Sequence, residues 1–284
     1  MRFRFHSPKS GLEPVWIGGT FCALARGLDI QRNRRGLKWR GFQRRAESFR
    51  MVEFQGCDLK LWSPGIAMRL IALNVARPRL AVYEDQTVST GIFKQPVSGP
   101  VRLRCLNLDG DRQADLAVHG GPFKAVYAYP SEHYDFWREQ LPGTQLPPGM
   151  FGENFTTEGL FERDLHIGDR LQIGTALIMV RQPRIPCYKL ALKFRRQDIL
   201  ERFFRSGRSG FYFSVELEGV VESGNSFEFL SREPEAVTIS EINVLFAEEK
   251  YNRTLLERAL ATPALPEYWR DYFRKRVEGS PVAP

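Results

Sequence analysis

Short runs of apolar residues, separated by Gly, Pro and Asp, follow one another through the middle of the chain. They are rich in Val, Ile, Leu and aromatic residues, and turns such as Asp109-Gly110 divide them, which is typical of β-strands. Helical patterns intervene only at 132–140, where Ser131 is the expected N-cap, and at 197–205. This spacing favours a mainly β fold, a β-barrel with inserted helices, over a sheet built from βαβ units. The predicted strands are 69–75, 87–93, 100–108, 124–129, 170–173, 175–181 and 210–217.

The C-terminal part of the chain follows the period of amphipathic helices instead. Thr238 and Glu241 are spaced as a capping box, Asn252 is expected to cap a second helix, and an aromatic stripe from Tyr268 to Phe273 marks a third. Helices this short bury little apolar surface alone, so they must pack on the barrel or on a second subunit, which would make a homodimer. The sequence therefore divides into an N-terminal extension (1–67), a β-barrel domain (68–232) and a small C-terminal three-helix domain with a tail (233–284).

Charge is distributed unevenly along the 284 residues, which carry 41 Lys and Arg against 33 Asp and Glu. Residues 1–50 hold 12 of the basic and 3 of the acidic residues, whereas residues 68–284 hold 28 of each. The high isoelectric point therefore belongs to the N-terminal extension. A neutral body gives no electrostatic indication of nucleic-acid binding, and we expect no nucleic-acid partner for it.

The N-terminal extension has no apolar stretch of the length that a signal peptide or a membrane span needs. Its arginine-rich run from Gln31 to Arg50 is compatible with a transit peptide or a nucleic-acid-binding arm. The simpler interpretation is a disordered extension or an over-long reading frame, because Met68 opens a segment that reads as the first strand of a domain. We expect the natural protein to begin there, in the cytoplasm and without a membrane segment.

One thiol with cationic neighbours is the strongest chemical feature of the chain. Cys187 lies in the segment Arg-Gln-Pro-Arg-Ile-Pro-Cys-Tyr-Lys at 181–189. A thiolate is a soft metal ligand and a nucleophile, and nearby positive charge favours it. The apolar run that follows is compatible with a short helix with Pro186 in its first turn, which would place the sulfur at the positive end of a helix dipole. A buried, inert cysteine is the alternative, but Arg184 and Lys189 favour a functional one.

The other cysteines do not form a second centre. Cys22, Cys57 and Cys105 lie far from one another and from Cys187 in sequence, so neither a zinc knuckle nor a disulfide framework is indicated. Alternation along 101–108 places Cys105 on the same strand face as Leu103, which predicts a core cysteine. Sparse cysteines of this kind are typical of a reducing compartment.

Two loops supply candidate binding groups. In the loop His119–Lys124, the consecutive Gly120 and Gly121 would let backbone N–H groups point at an anion, with a cation at the end of the loop. A plain turn with a solvated lysine is the alternative. Asn154 lies in a second Gly-containing loop, where it could bind a ligand or cap a turn, and Lys94 adds another cation after a predicted strand. Together with the thiol, these groups suit a phosphate-bearing cofactor that carries a soft metal.

Four blocks of the sequence resemble the MOSC domain, the molybdenum cofactor sulfurase C-terminal domain; they lie in order at 107–130, 152–159, 167–174 and 182–189. With its helical tail, the chain resembles the stand-alone bacterial subgroup that ends in a three-helix domain. That subgroup includes proteins that protect cells from N-hydroxylated base analogues such as N-hydroxylaminopurine. The resemblance spans residues 68 to about 276, and residues 1–67 match nothing in it.

The resemblance implies a β-barrel that binds the molybdenum cofactor (molybdopterin), with Cys187 as the metal ligand. It places the pterin phosphate among Lys124, Arg184 and the backbone of Gly120 and Gly121. Phe123 stands where relatives often carry Asp, so substrate detail is not carried over at that position. The remaining matched pocket positions are His119, Asn154 and Lys94.

The resemblance also implies an enzyme that reduces N-hydroxylated small molecules. Cys187 would bind molybdenum, and His119 would supply a proton as the N–O bond breaks, the unperturbed pKa of histidine being suitable. Because the sequence has no ferredoxin-like cysteine cluster, we expect electrons to come from a separate reductase. The alternative function is a sulfur or molybdenum-cofactor carrier that forms a persulfide on Cys187 without reductive turnover.

Overall fold

The computed structural model describes residues 67–247 and 251–279. The expected N-terminal extension therefore lies outside the described residues up to residue 66. Within the described ranges, no helix is both long enough and apolar enough to cross a membrane.

Most of the described strands belong to one sheet. The strands are β1 (Arg69–Val75), β2 (Arg79–Tyr83), β3 (Gln86–Thr90), β4 (Gln95–Pro96), β5 (Val101–Leu103), β6 (Val126–Pro130), β7 (Phe155–Glu158), β8 (Arg170–Ile173), β9 (Ala176–Pro183), β10 (Phe211–Leu217), β11 (Gly219–Val221) and β12 (Phe227–Ser231). Eight of them pair in the order β12-β8-β9-β10-β6-β7-β1-β4, and the pair β6–β7 is parallel. The pairs β5–β11 and β2–β3 form two small additional sheets.

The large sheet curls until β1, near one end of the strand order, meets the start of β12 at the other. The Leu70 N–H donates to the Asn225 carbonyl and the Phe227 N–H donates to the Met68 carbonyl, each over 2.9 Å. An isolated antiparallel bridge pairs Arg69 with Ser226. In the described residues, the expected barrel is a mainly β sheet whose two ends meet through this short contact. No continuous ladder of strand pairs closes the sheet in the residues described.

The helices divide into an inserted group and a C-terminal group. They are α1 (Leu116–His119), α2 (His133–Gln140), α3 (Tyr188–Phe194), α4 (Ile199–Arg205), α5 (Ile239–Ala247), α6 (Arg253–Ala261) and α7 (Glu267–Val277). The predicted capping box at α5 is confirmed, because the Glu241 N–H donates to Thr238 Oγ1 at 3.0 Å and the Thr238 N–H donates to Glu241 Oε2 at 2.8 Å. The Asn252 side chain caps α6 as expected.

Two apolar clusters lie on different sides of the sheet strands. The larger cluster joins sheet residues such as Ile178 to Ile242 of α5 and Trp269 of α7. The second contains Trp137 of α2 and Phe203 of α4, which pack with an interplanar angle of 11°. Of the two arrangements open to the C-terminal helices, packing on the barrel is therefore the one observed.

The prediction of a strand over 100–108 is wrong after Leu103. The chain turns back there, because the Arg104 N–H donates to the Asn107 carbonyl at 2.8 Å and Leu103 bridges to Leu108. Cys105 consequently lies half-buried on this turn, where its N–H donates to Glu218 Oε1, and the prediction of a core cysteine is wrong.

Two smaller differences concern local turns. The hairpin β2–β3 turns at Glu84 and Asp85, whose φ values of 47° and 60° are more usual for Gly or Asn, so only its second strand was predicted. At α2 the N-cap is Glu132 and not Ser131, whose carbonyl instead accepts from the Tyr134 N–H.

Candidate functional site

A cleft with about 590 Å³ of space, part of it open to solvent, lies where β6, β9 and β10 meet the loops that follow β3 and β5. Six of the eight predicted site residues line it, namely Lys94, His119, Lys124, Asn154, Arg184 and Cys187. Gly120 and Gly121 do not. Residues from segments as distant in sequence as 90–94 and 184–189 therefore line the same cleft.

Cys187 is placed by the junction between β9 and α3. It is the N-cap of α3, with an extended backbone (φ −130°, ψ 168°), and its carbonyl accepts from the Leu190 N–H at 2.8 Å. The expected short helix is thus present, but Pro186 precedes it and does not lie in its first turn. The Cys187 thiol is half-buried and faces the cleft.

The side chains of Cys187, His119 and Lys189 lie in a row, with the sulfur at one end. Cys187 Sγ lies 3.4 Å from His119 Nε2, and Lys189 Nζ lies 3.5 Å from His119 Nδ1. An ammonium group only donates hydrogen bonds, so His119 Nδ1 is the acceptor. In a neutral imidazole the proton then sits on Nε2 and points at the sulfur. The Cys187 sulfur is therefore the acceptor in this contact.

Burial and neighbouring cations alter His119 itself. Burial, followed by the charges of Lys189 and Arg184, lowers the pKa of His119 from 6.5 to about 4. The imidazole is therefore neutral near pH 7, and the expectation that His119 has an unperturbed pKa suited to a general acid is wrong.

Lys94 and Asn154 meet at a buried carboxylate that the sequence did not single out. Lys94 Nζ lies 2.5 Å and 2.6 Å from the two carboxylate oxygens of Asp111, and both side chains are almost fully buried. Asn154 Nδ2 donates to Asp111 Oδ2 at 2.9 Å, and the Ala76 N–H donates to Oδ1 at 2.8 Å. The charge of Lys94 is therefore already neutralised, so its contribution to the cleft is to hold this wall in place.

Arg184 forms the floor of the cleft. Its Nη1 donates to the Phe151 carbonyl at 2.6 Å, and its guanidinium lies 4.8 Å from the centre of the Tyr127 ring. The side chain is buried, and among the described residues no carboxylate forms an ion pair with it. It therefore brings positive charge to the cleft without a neutralising partner.

The glycine pair does not form the expected anion-binding nest. The Gly120 N–H donates to the Leu116 carbonyl at 3.2 Å, where it closes α1, so it is not directed at a ligand. A Cβ at Gly120 would lie 2.8 Å from that carbonyl oxygen, whereas a Cβ at Gly121 would meet open space. Gly121 instead supplies a backbone with φ of 96°. The pair thus shapes the turn that carries Lys124.

Lys124 and Phe123 lie on the 3-10 turn Pro122–Lys124. Lys124 Nζ donates to the Val118 carbonyl at 2.7 Å, and burial lowers the pKa of this lysine. The Phe123 ring is partly exposed and packs 4.3 Å from the Arg181 guanidinium. At position 123 this chain therefore has an aromatic ring against a cation.

Two family models and several relatives match this chain. The MOSC domain model matches residues 115–228, and the YiiM-like 3-alpha helix domain model matches residues 237–279. The chain is 41% identical over 209 residues to the protein YflK of Bacillus subtilis, covering 94% of that protein and 74% of this chain. It is 36% identical over 206 residues to the protein YiiM of Escherichia coli, covering 91% of that protein and 72% of this chain. The chain belongs to the MOSC domain family.

Solved structures of two YiiM proteins are similar to this MOSC protein. YiiM from Geobacillus stearothermophilus matches with a TM-score of 0.63 and 37% identity, covering 99% of that chain and 74% of this one. YiiM from Escherichia coli matches with a TM-score of 0.61 and 28% identity, covering 95% of that chain and 77% of this one. A protein of Gibberella moniliformis named "Reductase" is 27% identical over 221 residues, which span 38% of its length.

The donor set of this MOSC protein fits a metal that arrives on an organic cofactor. Among the described residues, no group of three or more His, Cys, Asp and Glu is arranged to hold a metal ion. If a metal arrived on an organic cofactor that already supplied ligands, Cys187 could supply a soft protein ligand. Arg184 and Lys124, which both line the cleft, offer positive charge for a phosphate.

The cleft residues that sequence reasoning did not single out include Asp111, Tyr127 and Tyr212. Lys189 was named only as a cationic neighbour of the thiol, and its contact with His119 was not expected. The tyrosines occupy ordinary strand positions, and Asp111 reads as one more turn residue.

Proposed function

We propose that this MOSC protein binds the molybdenum cofactor through Cys187 and reduces N-hydroxylated compounds. The observation that carries the proposal is the contact of 3.4 Å between Cys187 Sγ and His119 Nε2 inside a cleft that also holds Lys124, Lys189 and Arg184. A soft ligand with a hydrogen-bond donor and several cations suits a metal cofactor that carries a phosphate.

The reaction needs two electrons and two protons, because R–NH–OH becomes R–NH₂ and water when the N–O bond breaks. The bound cofactor supplies the two-electron chemistry. Its electrons come from a separate reductase, since the sequence has no cysteine cluster that could hold an iron–sulfur centre.

The protein's own side chains bind and orient. Arg184 and Lys124 attract the anionic part of the cofactor, and Lys189 keeps the His119 proton on Nε2 beside the sulfur. The His119 imidazole is neutral near pH 7, and an anionic ligand would raise its pKa from about 4. With the cofactor bound, His119 would then be the residue that supplies a proton beside the Cys187 sulfur.

The first test is metal and pterin analysis of the protein purified from a host that makes the molybdenum cofactor. We expect both in the wild-type protein and neither in Cys187→Ser, because a hydroxyl is a harder and weaker ligand than a thiolate. Cys105→Ser is the matched control, since this half-buried cysteine lies outside the cleft and should keep the cofactor. Equal molybdenum in wild type and Cys187→Ser would refute the assignment.

The same samples separate the alternative function. A persulfide on Cys187 in protein that holds no molybdenum, detected by intact and peptide mass spectrometry, would identify a sulfur carrier instead.

The second test is turnover of N-hydroxylaminopurine with a chemical electron donor. If His119 delivers the proton, His119→Ala should keep the cofactor and lose activity by about 10²- to 10⁴-fold. His119→Asn keeps hydrogen-bonding capacity without a titratable proton, so near-normal rates in that variant would leave His119 an orienting residue only.

A further inference from the structure

The side chain of Gln182 links the three-helix region to the cleft. Gln182 lies near the end of β9 with its side chain fully buried. Its Nε2 donates to the Phe123 carbonyl at 2.9 Å, and its Oε1 accepts from Trp269 Nε1 of α7 at 3.0 Å. An indole N–H only donates and a carbonyl only accepts, so the two partners fix the orientation of the amide.

The second contact joins the neighbouring residues of the same two segments. Lys124 follows Phe123, lines the cleft, and places its Nζ 5.3 Å from the centre of the Tyr268 ring. Tyr268 precedes Trp269 at the start of α7. Trp269 thus holds Phe123 through Gln182, and Tyr268 holds the next residue, Lys124, which lines the cleft, through a cation–π contact.

We infer that Gln182 and Trp269 are positioning residues for Lys124, so that the three-helix region sets the place of a cationic group in the cleft. The inference rests on the proposed function only for the identity of the ligand, a phosphate-bearing cofactor. The charge that Lys124 contributes to the space around Cys187 does not depend on that identity.

Trp269→Phe tests the link with little change in shape. It removes the indole N–H and keeps an aromatic ring against Phe273, which stacks on Trp269 with centroids 5.4 Å apart. Gln182 Oε1 is then buried without its donor, so the amide loses one of the two contacts that hold its Nε2 on the Phe123 carbonyl.

Trp137→Phe is the matched control. Trp137 is also fully buried, and its Nε1 also donates a hydrogen bond, to Tyr129 Oη at 2.6 Å. Neither residue lines the cleft. The two variants therefore lose the same atoms and one buried hydrogen bond each, but only Trp269→Phe affects the wall that carries Lys124.

The assay is alkylation of Cys187 in cofactor-free protein by iodoacetate and by iodoacetamide, with rates read by mass spectrometry of the Cys187 peptide. In both reactions the sulfur forms a bond to carbon and iodide leaves. The same sulfur attacks both reagents, so its intrinsic reactivity cancels in the ratio of the two rates. The ratio then reports how strongly the positive potential around Cys187 attracts iodoacetate, the anionic reagent.

We expect Lys124→Ala to lower the iodoacetate-to-iodoacetamide ratio by about two- to fivefold, the effect of one charge at the distance of a cleft width. Trp269→Phe and Gln182→Leu should lower the ratio in the same direction, and Trp137→Phe should leave it unchanged. Thermal unfolding checks that the two tryptophan variants are destabilised to a similar degree.

The inference is wrong if folded Trp269→Phe and Trp137→Phe give the same ratio, or if Lys124→Ala leaves the ratio at the wild-type value. Molybdopterin content of protein from a cofactor-producing host should follow the ratio across the series. Wild-type protein without any pterin would refute the proposed function and leave the alkylation result, which needs no cofactor, intact.

Discussion

Replacement of Asp111 by Asn should be among the most damaging single changes near the cleft. The Lys94 ammonium is buried, and burial lowers its pKa while the Asp111 charge raises it. Asp111→Asn keeps the shape and still accepts from the Ala76 N–H, but it removes the charge that balances Lys94. Breaking a buried ion pair on one side costs about 3–5 kcal/mol, which is a large share of the roughly 5–15 kcal/mol that stabilises a domain.

The corresponding fall in the unfolding temperature is about 6–20 °C for a domain of roughly 200 residues. Thermal and urea unfolding of Asp111→Asn, Lys94→Met and the double variant form a double-mutant cycle, and the double variant should lose much less than the sum of the single losses. Glu158→Gln is the control, because it makes the same carboxylate-to-amide change in the exposed pair with Arg69 and should cost less than about 1 kcal/mol.

The reasoning is refuted if Asp111→Asn unfolds within a degree or two of the wild type, or if the single losses add in the double variant. Either result would mean that Lys94 finds water or another partner in place of Asp111.

Three further predictions concern His119, Thr238 and Gly121. The folded pKa of His119, about 4, lies below the usual 6.5, so the unfolded chain binds more protons between these values. Stability of cofactor-free protein should therefore fall as the pH drops from about 6.5 to 4, and His119→Asn should reduce that slope in urea titrations; parallel slopes would contradict it. Thr238→Ala removes the cap of α5 and should cost about 1 kcal/mol, whereas Thr238→Ser should cost less, both by chemical denaturation. Gly121→Ala should cost about 1–3 kcal/mol through its φ of 96°, and an unchanged unfolding midpoint would show that the turn adapts.

The sequence was most informative where a strand is bounded by clear turn residues. The strands 69–75 and 170–173 were predicted with the observed bounds, because apolar runs there end shortly before Pro78 and at Gly174. The prediction failed at 100–108, where the alternation continues through Cys105 although the backbone has already turned at Arg104. Side-chain alternation cannot report such a turn, since no Gly or Pro marks it.

For the cleft, short motifs identified side chains that line it, but not the residues that hold those side chains in place. His119, Arg184 and Cys187 stand out by residue type and neighbours. Asp111 could not be paired with Lys94 from the sequence, because that contact depends on how the ends of β1 and β4 meet. The pKa of His119 depends likewise on burial and on cations from a distant helix.

The contact between β1 and residues 223–227 also bears on how the chain acquires its structure. Leu73, in the first strand, donates its N–H to Ser223 Oγ, a residue 150 positions later. On the ribosome the contacts of β1 with residues 223–227 must therefore wait for most of the domain to be synthesised, although β4 and β7 can pair with β1 earlier, and the loop that closes is long. Contacts of such large sequence separation slow folding, and a strand edge left uncovered is prone to aggregate meanwhile. We therefore expect joining of β1 to the β12 region to be a late step, with slow refolding and low yields at high protein concentration as its signature.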